Sequence, residues 1–324
     1  MPGREIRVTF VGIDVSKLVL DVAVVSEAGE VQHCRFENCV TGHAELSAFL
    51  AGFEGCRIAL EATGTYHRQL VQALEATQQH VSVVNPAQVS FFVKSQNRRN
   101  KTDKADALML AMYARERQPA AGAPLNAALQ SLAREVNAVQ RDINRLKNRL
   151  EAARHGLAHG QVIASLERRL KALEEERAVL ERELERETKA SNSAELALLT
   201  SIPGVGIKSA CYFIAEVGDI HRFSSASKLV AYAGLSPMQF QSGSSVNKKS
   251  RLSRLGSSEL RRLAYMPGLV GIRHNPILKE FYQRLVAHGK SKKAALLACV
   301  AKLLRIMYGV LIYRQPFNPN HLGG

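Results

Sequence analysis

IRVTFVGIDVSKLVLDVAVV, residues 6–25, reads as two apolar, β-branched runs that break at residues 14–17 and resume. Two strands joined by a tight turn produce that pattern. A third strand is expected near CRFEN (34–38), and GHAELSAFLAGF (42–53) has helical spacing. RIALEA (57–62) and HVSVVNP (80–86) are short apolar runs suited to buried strands, and YHRQLVQALEAT (66–77) between them suits a helix. Strand–helix–strand alternation argues for an α/β layer fold. KADALMLAMYARER (104–117) is then a helix closing this domain, with QPAAGAP (118–124) as a linker.

Beyond the linker the periodicity changes. Leu125, Leu129, Leu132, Val136, Val139, Ile143, Leu146 and Leu150 alternate steps of four and three, a sustained heptad seam. A second seam runs through Ile163, Leu166, Leu170, Leu173, Leu180 and Leu184, interrupted by Arg177. The Gly-rich HGLAHGQ (155–161) separates them, so the two helices fold back as a hairpin or pair with another chain. LLTSIPGVGIKSACYFIAEVG (198–218) places a Pro-Gly-x-Gly turn between helical patterns, as in a helix-hairpin-helix. There Gly204 and Gly206 would let backbone N–H groups approach a phosphate. KKAALLACVAKLLRIMYGVLI (292–312) reads as an apolar core helix. Three domains are expected, 1–122, 123–190 and 191–324, in an α/β plus α chain.

The 324 residues carry a net charge of +15, with 46% apolar and 23% charged residues. A basic excess of this size on globular material favours a polyanion, because Lys and Arg release counterions when they neutralise phosphates. The five cysteines show no C-x-x-C spacing and read as core thiols of a reducing compartment. The N-terminus lacks a signal-type apolar run, and no uninterrupted apolar stretch reaches about 18 residues. A cytoplasmic protein working at the nucleoid, with no membrane partner, is expected.

Four acids of the first domain carry candidate chemistry. Asp14 ends the first strand, Glu61 ends a later one, and Asp103 and Asp106 open the closing helix. Element ends are where side chains converge on a cleft in an open α/β sheet. Asp103 and Asp106, at i and i+3, share a helix face. Like charges this close repel unless a cation joins them. Carboxylates with a substrate phosphate suit Mg²⁺ or Mn²⁺. A pair of such ions about 4 Å apart can clamp the attacking and leaving oxygens of a phosphodiester. The preceding Arg98, Arg99 and Lys101 would hold the strand that the metal acts on.

QFQSGSSVNKKSRLSRLGSSELRR (239–262) is the second constellation. Small Ser and Gly residues precede Lys248, Lys249, Arg251 and Arg254. A Ser hydroxyl can carry a DNA end as a covalent ester, keeping the bond energy for rejoining. A Ser/Gly loop without a catalytic task fits the same residue types. In either case the basic cluster contacts phosphate.

GIDVSK, EATGTY, NPA and RNKTDKADA resemble the N-terminal domain of the DEDD-type insertion-sequence transposases, a group that includes the Piv DNA invertases. SIPGVG, FSSASKLVAYAGLSP, SGSSV and LRRLAYMP resemble its C-terminal transposase domain. Each motif is short; their order along nearly the whole chain is what is specific. The resemblance implies a RuvC-like first domain of RNase H type, with the acidic tetrad at Asp14, Glu61, Asp103 and Asp106. It also implies a catalytic serine at Ser242. Relatives often carry Arg-Gly after SSV, where this chain has Asn247 and Lys248, a change in the loop that leaves the serine in place.

The family recombines DNA at short core sites, and some members are guided by a structured bridge RNA. The resemblance therefore implies DNA donor and target, a guide RNA, and a dimer or tetramer in which one subunit's acidic domain meets another's serine domain. Two rival readings remain on the residues alone. One is a Holliday-junction-resolving nuclease that uses water as its nucleophile. The other is a non-enzymatic architectural nucleic-acid binder.

Overall fold

The computed structural model describes residues 8–53, 55–61, 66–96, 102–119, 126–242, 246–253 and 255–320. The chain divides into two compact units, Met1–Pro124 and Leu125–Gly324.

The first unit is a five-stranded sheet between two helical layers. Its strands are β1 (Thr9–Val15), β2 (Val19–Val25), β3 (Val31–Glu37), β4 (Cys56–Glu61) and β5 (His80–Val84), in the order β3-β2-β1-β4-β5. β1, β2 and β3 form an antiparallel meander, while β4 and β5 run parallel to β1. The break at residues 14–17 is the β1–β2 turn, closed by Ser16, whose N–H donates to the Val19 carbonyl at 2.9 Å. The helices among its described residues are α1 (Val40–Leu50), α2 (Arg68–Ala76), α3 (Pro86–Ser95) and α4 (Asp103–Arg117).

Alternation along β1 sorts its side chains between two cores. Val11, Ile13 and Val15 pack with Leu46 and Leu50 of α1 and Leu70 and Leu74 of α2. Phe10 packs on the opposite face with Val89 and Phe92 of α3 and Ala107, Leu110 and Ala111 of α4. A strand covered on both faces is apolar at nearly every position, which explains the unbroken run. α3 lies in NPAQVSFFVKSQ, where no element was expected. Pro86 opens it, a position at which a missing N–H costs nothing.

Among its described residues, the second unit is helical apart from one β-hairpin. It contains α5 (Ala127–His155), α6 (Gly160–Ser191), α7 (Ser193–Thr200), α8 (Ile207–Val217), α9 (Ala226–Tyr232), β6 (Pro237–Ser242), β7 (Val246–Leu252), α10 (Ser258–His274), α11 (Pro276–Ala287) and α12 (Lys292–Ile312). α5 and α6 fold back on each other, and the expected seam is buried at Leu129, Val136, Val139, Ile143, Leu146 and Leu150. Leu125 lies outside the described residues. Arg177, the interruption in the second seam, donates to Gln140 across the hairpin. The base of the hairpin joins the main core, since Leu129, Ala133 and Leu184 cluster with α8, α9 and α12 residues.

α12 is long and apolar enough to cross a membrane by length and composition, yet half of its most apolar window is buried within the fold. Leu296, Val300, Leu303, Leu304 and Met307 form part of the main core, as expected for this segment. Cys56, Cys211 and Cys299 are buried thiols, whereas Cys34 and Cys39 are only partly covered.

Candidate functional site

Gly12 decides where the helix bearing two of the acids can lie. A Cβ at this position would stand 2.1 Å from the Ala107 carbonyl oxygen and 2.2 Å from the Ala111 nitrogen. The β1 and α4 backbones therefore touch at a point where only glycine fits. Asp14 is two residues further along the same face of β1. Asp106 immediately precedes Ala107, and Asp103 lies one turn before it. Thr102 caps this helix start, its hydroxyl accepting from the Ala105 N–H at 3.2 Å.

The parallel register of β1 and β4 brings in Glu61. Ile13 pairs with Leu60, so Asp14 and Glu61 follow at the carboxyl ends of neighbouring strands. Glu61 shares its strand face with Ala59, which packs in the same core as α4. Segments from three separated stretches of sequence thus bring the four expected acids to one end of one sheet face. Asp14 registers their proximity: burial, then the charges of Asp106, Asp103, Asp21 and Glu61, push its carboxyl up to about 6.

Asp21 is the residue that sequence reading missed. It stands directly opposite Asp14 in the β1–β2 pair and is 7% exposed. Arg35, its partner in the β2–β3 register, donates from Nη2 to Asp21 Oδ2 at 3.5 Å. The available signal was an acid on the inward phase of an otherwise apolar strand, VLDVAVV.

Among the described residues, no three His, Cys, Asp or Glu side chains form a ready-made coordination shell. The donor set nonetheless fits a hard divalent ion: it is all carboxylate oxygen, and burial together with the charges of its neighbours raises Asp14. Arg98, Arg99 and Lys101 lie outside the described residues.

In the second unit, Ser242 ends β6 on a hairpin where a loop was expected. Its backbone pairs with Val246, Gln241 pairs with Asn247 and Phe240 with Lys248, with an irregularity between Met238 and Phe240. The backbones of Lys249 and Arg251 continue along β7. The side chains of Ser242, Lys248, Lys249 and Arg251 lie outside the described part of the structure, as does the whole of Arg254.

The foot of this hairpin is pinned. The Ser253 N–H donates to the Ser236 carbonyl at 3.0 Å, and the Ser257 N–H donates to the Tyr232 carbonyl at 2.6 Å. Ser257 Oγ also accepts from the Leu260 N–H as the N-cap of α10 and donates to the buried Glu216 at 2.7 Å.

The turn before α8 separates its two glycines. Gly204 has φ +100°, and a Cβ there would lie 2.8 Å from the Gly271 backbone on α10. Its lack of a side chain serves helix packing. Gly206 faces open space at the amino end of α8.

Two stretches of the chain match models of known protein families. A profile described as "Transposase IS116/IS110/IS902 family" covers residues 196–283, and the DEDD transposase profile of the same group covers residues 11–156. The chain belongs to the IS110/IS116/IS902 transposase family. The first of these matches contains the pinned hairpin and the second contains all four acids. Among its relatives, the pilin gene-inverting protein of Moraxella bovis is 29% identical over 96% of this chain and 98% of its own length. The transposase for insertion sequence element IS1111A of Coxiella burnetii is 25% identical over 97% of this chain and 92% of its own. A protein of insertion element IS110 from Streptomyces coelicolor is 31% identical over 46% of this chain and 36% of its own. Membership in a DEDD transposase family carries with it a DNA substrate and the use of a divalent metal.

Proposed function

We propose that this family member is a Mg²⁺- or Mn²⁺-dependent DNA recombinase with a RuvC-like first domain, cutting and rejoining strands through a serine ester. The observation that carries the reading is the convergence of Asp14, Glu61, Asp103 and Asp106, acids from distant parts of the sequence, at one end of one sheet face. A meander followed by parallel strands, in the order β3-β2-β1-β4-β5, supports the RNase H type assignment. Asp14, Glu61, Asp103 and Asp106 would hold the metal, which supplies charge stabilisation at the scissile phosphate.

Ser242 Oγ loses its proton and forms a bond to phosphorus. The P–O bond to the departing strand breaks, and the leaving hydroxyl takes up a proton. Rejoining reverses these steps on the exchanged strand. The hairpin that carries Ser242 is pinned at its foot, at Ser253 and Ser257, to the helical part of its unit. Lys248, Lys249, Arg251 and Arg254, together with Arg98, Arg99 and Lys101, hold backbone phosphates, and Gly206 offers an open helix terminus to another. The α5–α6 hairpin serves assembly into a dimer or tetramer, in which the acids and the serine come from different subunits. A structured guide RNA specifies the DNA sites.

The test is a denaturation-resistant protein–DNA adduct on a donor-end substrate with Mg²⁺. Wild type should form it, Ser242→Ala should not, and Ser242→Ala should still bind DNA. Strand cleavage by Ser242→Ala at the wild-type rate would instead assign the reaction to a water-using nuclease. An absence of cleavage and adduct in wild type, with the biological activity unharmed in Asp103→Ala, would assign the chain to the architectural class. Sequencing the nucleic acid that co-purifies with the chain tests the guide.

A further inference from the structure

The outer face of α5 carries Arg134, Arg141, Arg145 and Arg149, in steps of seven, four and four residues. At 3.6 residues per turn these steps place all of them within one narrow stripe. The stripe lies opposite the buried seam of Val136, Val139, Ile143, Leu146 and Leu150. All four residues are exposed. From Arg134 to Arg149 the stripe rises about 22 Å.

On α6, Lys171, Arg177, Arg186 and Lys189 pair with acids of their own helix, at Glu175, Glu181, Glu183, Glu185 and Glu187, while Arg168, Arg169 and Arg182 have no ion-pair partner among the described residues. On α5, neither Arg134 nor Arg149 has an ion-pair partner among the described residues, and Arg145 meets only the adjacent Asp142. Two of the four guanidinium groups, at the two ends of the stripe, therefore keep their full charge, and an anion of similar length laid along the stripe would offset it. Arg141 ties the ladder to the serine hairpin's foot: it pairs with Glu259 in the first turn of α10, and Glu259 also pairs with Arg262.

We infer that this face of α5 is a track for a nucleic-acid phosphate backbone, leading away from the pinned hairpin. The partner is recognised by its row of phosphates, a chemistry that DNA and RNA share. The track does not depend on a serine nucleophile: Ser242→Ala should leave its salt dependence intact whichever way the adduct test falls.

The experiment measures binding of the full chain to a 30-base-pair DNA duplex and to an RNA duplex of equal length, from 50 to 200 mM salt. The variant is R134Q/R145Q/R149Q. The control is R182Q/R186Q/K189Q on α6, which removes the same formal charge. Each phosphate contact contributes about 0.9 to the slope of log K against log salt on B-DNA. Losing three contacts lowers the slope by about 2.7, so the affinity gap to wild type widens about fortyfold between 200 and 50 mM. That change on DNA alone, on RNA alone, or on both names the source of the backbone. Equal effects of the variant and the α6 control, or no effect of the variant on either probe, overturn the inference. So does a change in oligomeric mass with an unchanged slope, which would make the stripe a protein contact. Unchanged helical circular dichroism secures the comparison, because every substituted side chain is exposed.

Discussion

Asp14 and Asp21 face each other across the antiparallel β1–β2 pair, two acids on the side of the sheet that α4 covers. Arg35 offsets part of the charge on Asp21 at 3.5 Å, and burial keeps water from screening the rest. The pair leaves Asp14 with a negative neighbour on β2 in addition to those on α4 and β4.

The pH dependence of stability follows from the burial of Asp14 and from that crowding. The Asp14 carboxyl is raised from 3.8 to about 6, so between these values the folded chain binds a proton that the unfolded chain has released. Stability therefore falls as pH rises across this window, and the penalty is fully present above about 6. Asp14→Asn removes it. In EDTA at pH 7.5 the variant should melt about 2–4 °C above wild type, corresponding to about 1 kcal/mol once solvent screening of a half-buried carboxylate is allowed for. Below pH 4 the two melting curves should converge. Thermal scans from pH 4 to 8 measure this, and a constant difference across that range would sink the electrostatic account. Mg²⁺ should raise the melting temperature of wild type more than that of the variant.

Gly12→Ala should damage the first unit. The added methyl meets the backbone of α4 at Ala107 and Ala111, and backbone cannot swing aside as a side chain can. The cost is about 3 kcal/mol, the upper end for overpacking. Separation of α4 from β1 would also move Asp103 and Asp106 away from Asp14. Faster proteolysis within residues 1–124 is the expected readout, with cleavage after residue 124 unchanged. Wild-type resistance in the variant would show that α4 tolerates displacement.

The two glycines of the turn before α8 should behave differently. Gly204→Ala puts a side chain at φ +100° against Gly271 and should cost about 2 kcal/mol or more, lowering the urea midpoint. Gly206 has φ −84° and open space beside it, so Gly206→Ala should leave the midpoint within about 0.5 kcal/mol of wild type. A loss of DNA affinity by Gly206→Ala at unchanged stability would place a phosphate at this helix terminus. Equal midpoints for the two variants would contradict the packing assigned to Gly204.

The elements legible in the sequence are those whose side chains report burial by period. β1, β2, α4 and the α5 seam carry apolar residues at spacings that only one local geometry satisfies. α3 escaped because its inward pair, Val89 and Phe92, is too short a signal beside the apolar Phe91 and Val93. β6 and β7 escaped for another reason. NKKSRL has little β-branched content, and these strands are paired only with each other, by backbone bonds that composition does not encode. α10 contains Pro267 in its interior, which argues against a helix on local rules, yet the buried Leu260 and Ala264 hold it in the core. The acids on α4 and at the strand ends were legible from position along the chain. Asp21 was not, because a lone acid in a strand acquires its neighbours only when register is known.

Ser257 and Glu216 yield the last prediction. Glu216 is 6% exposed, and the hydrogen bond it accepts from Ser257 Oγ, at 2.7 Å, links α8 to the segment that follows the serine hairpin. Ser257→Ala removes that donor and the N-cap of α10 together. The cap is worth about 1 kcal/mol, and a buried carboxylate left without its donor adds about 1–3 kcal/mol. Glu216→Gln keeps an oxygen that can accept from Ser257 and should cost less than Ser257→Ala. The urea midpoints of the two variants give the order. Hydrogen exchange should quicken at the Ser253 and Ser257 amides in Ser257→Ala, because both close the foot of the hairpin. If Ser257→Ala leaves those amides as protected as in wild type, the hairpin is held by its backbone alone and Glu216 has no part in placing Ser242.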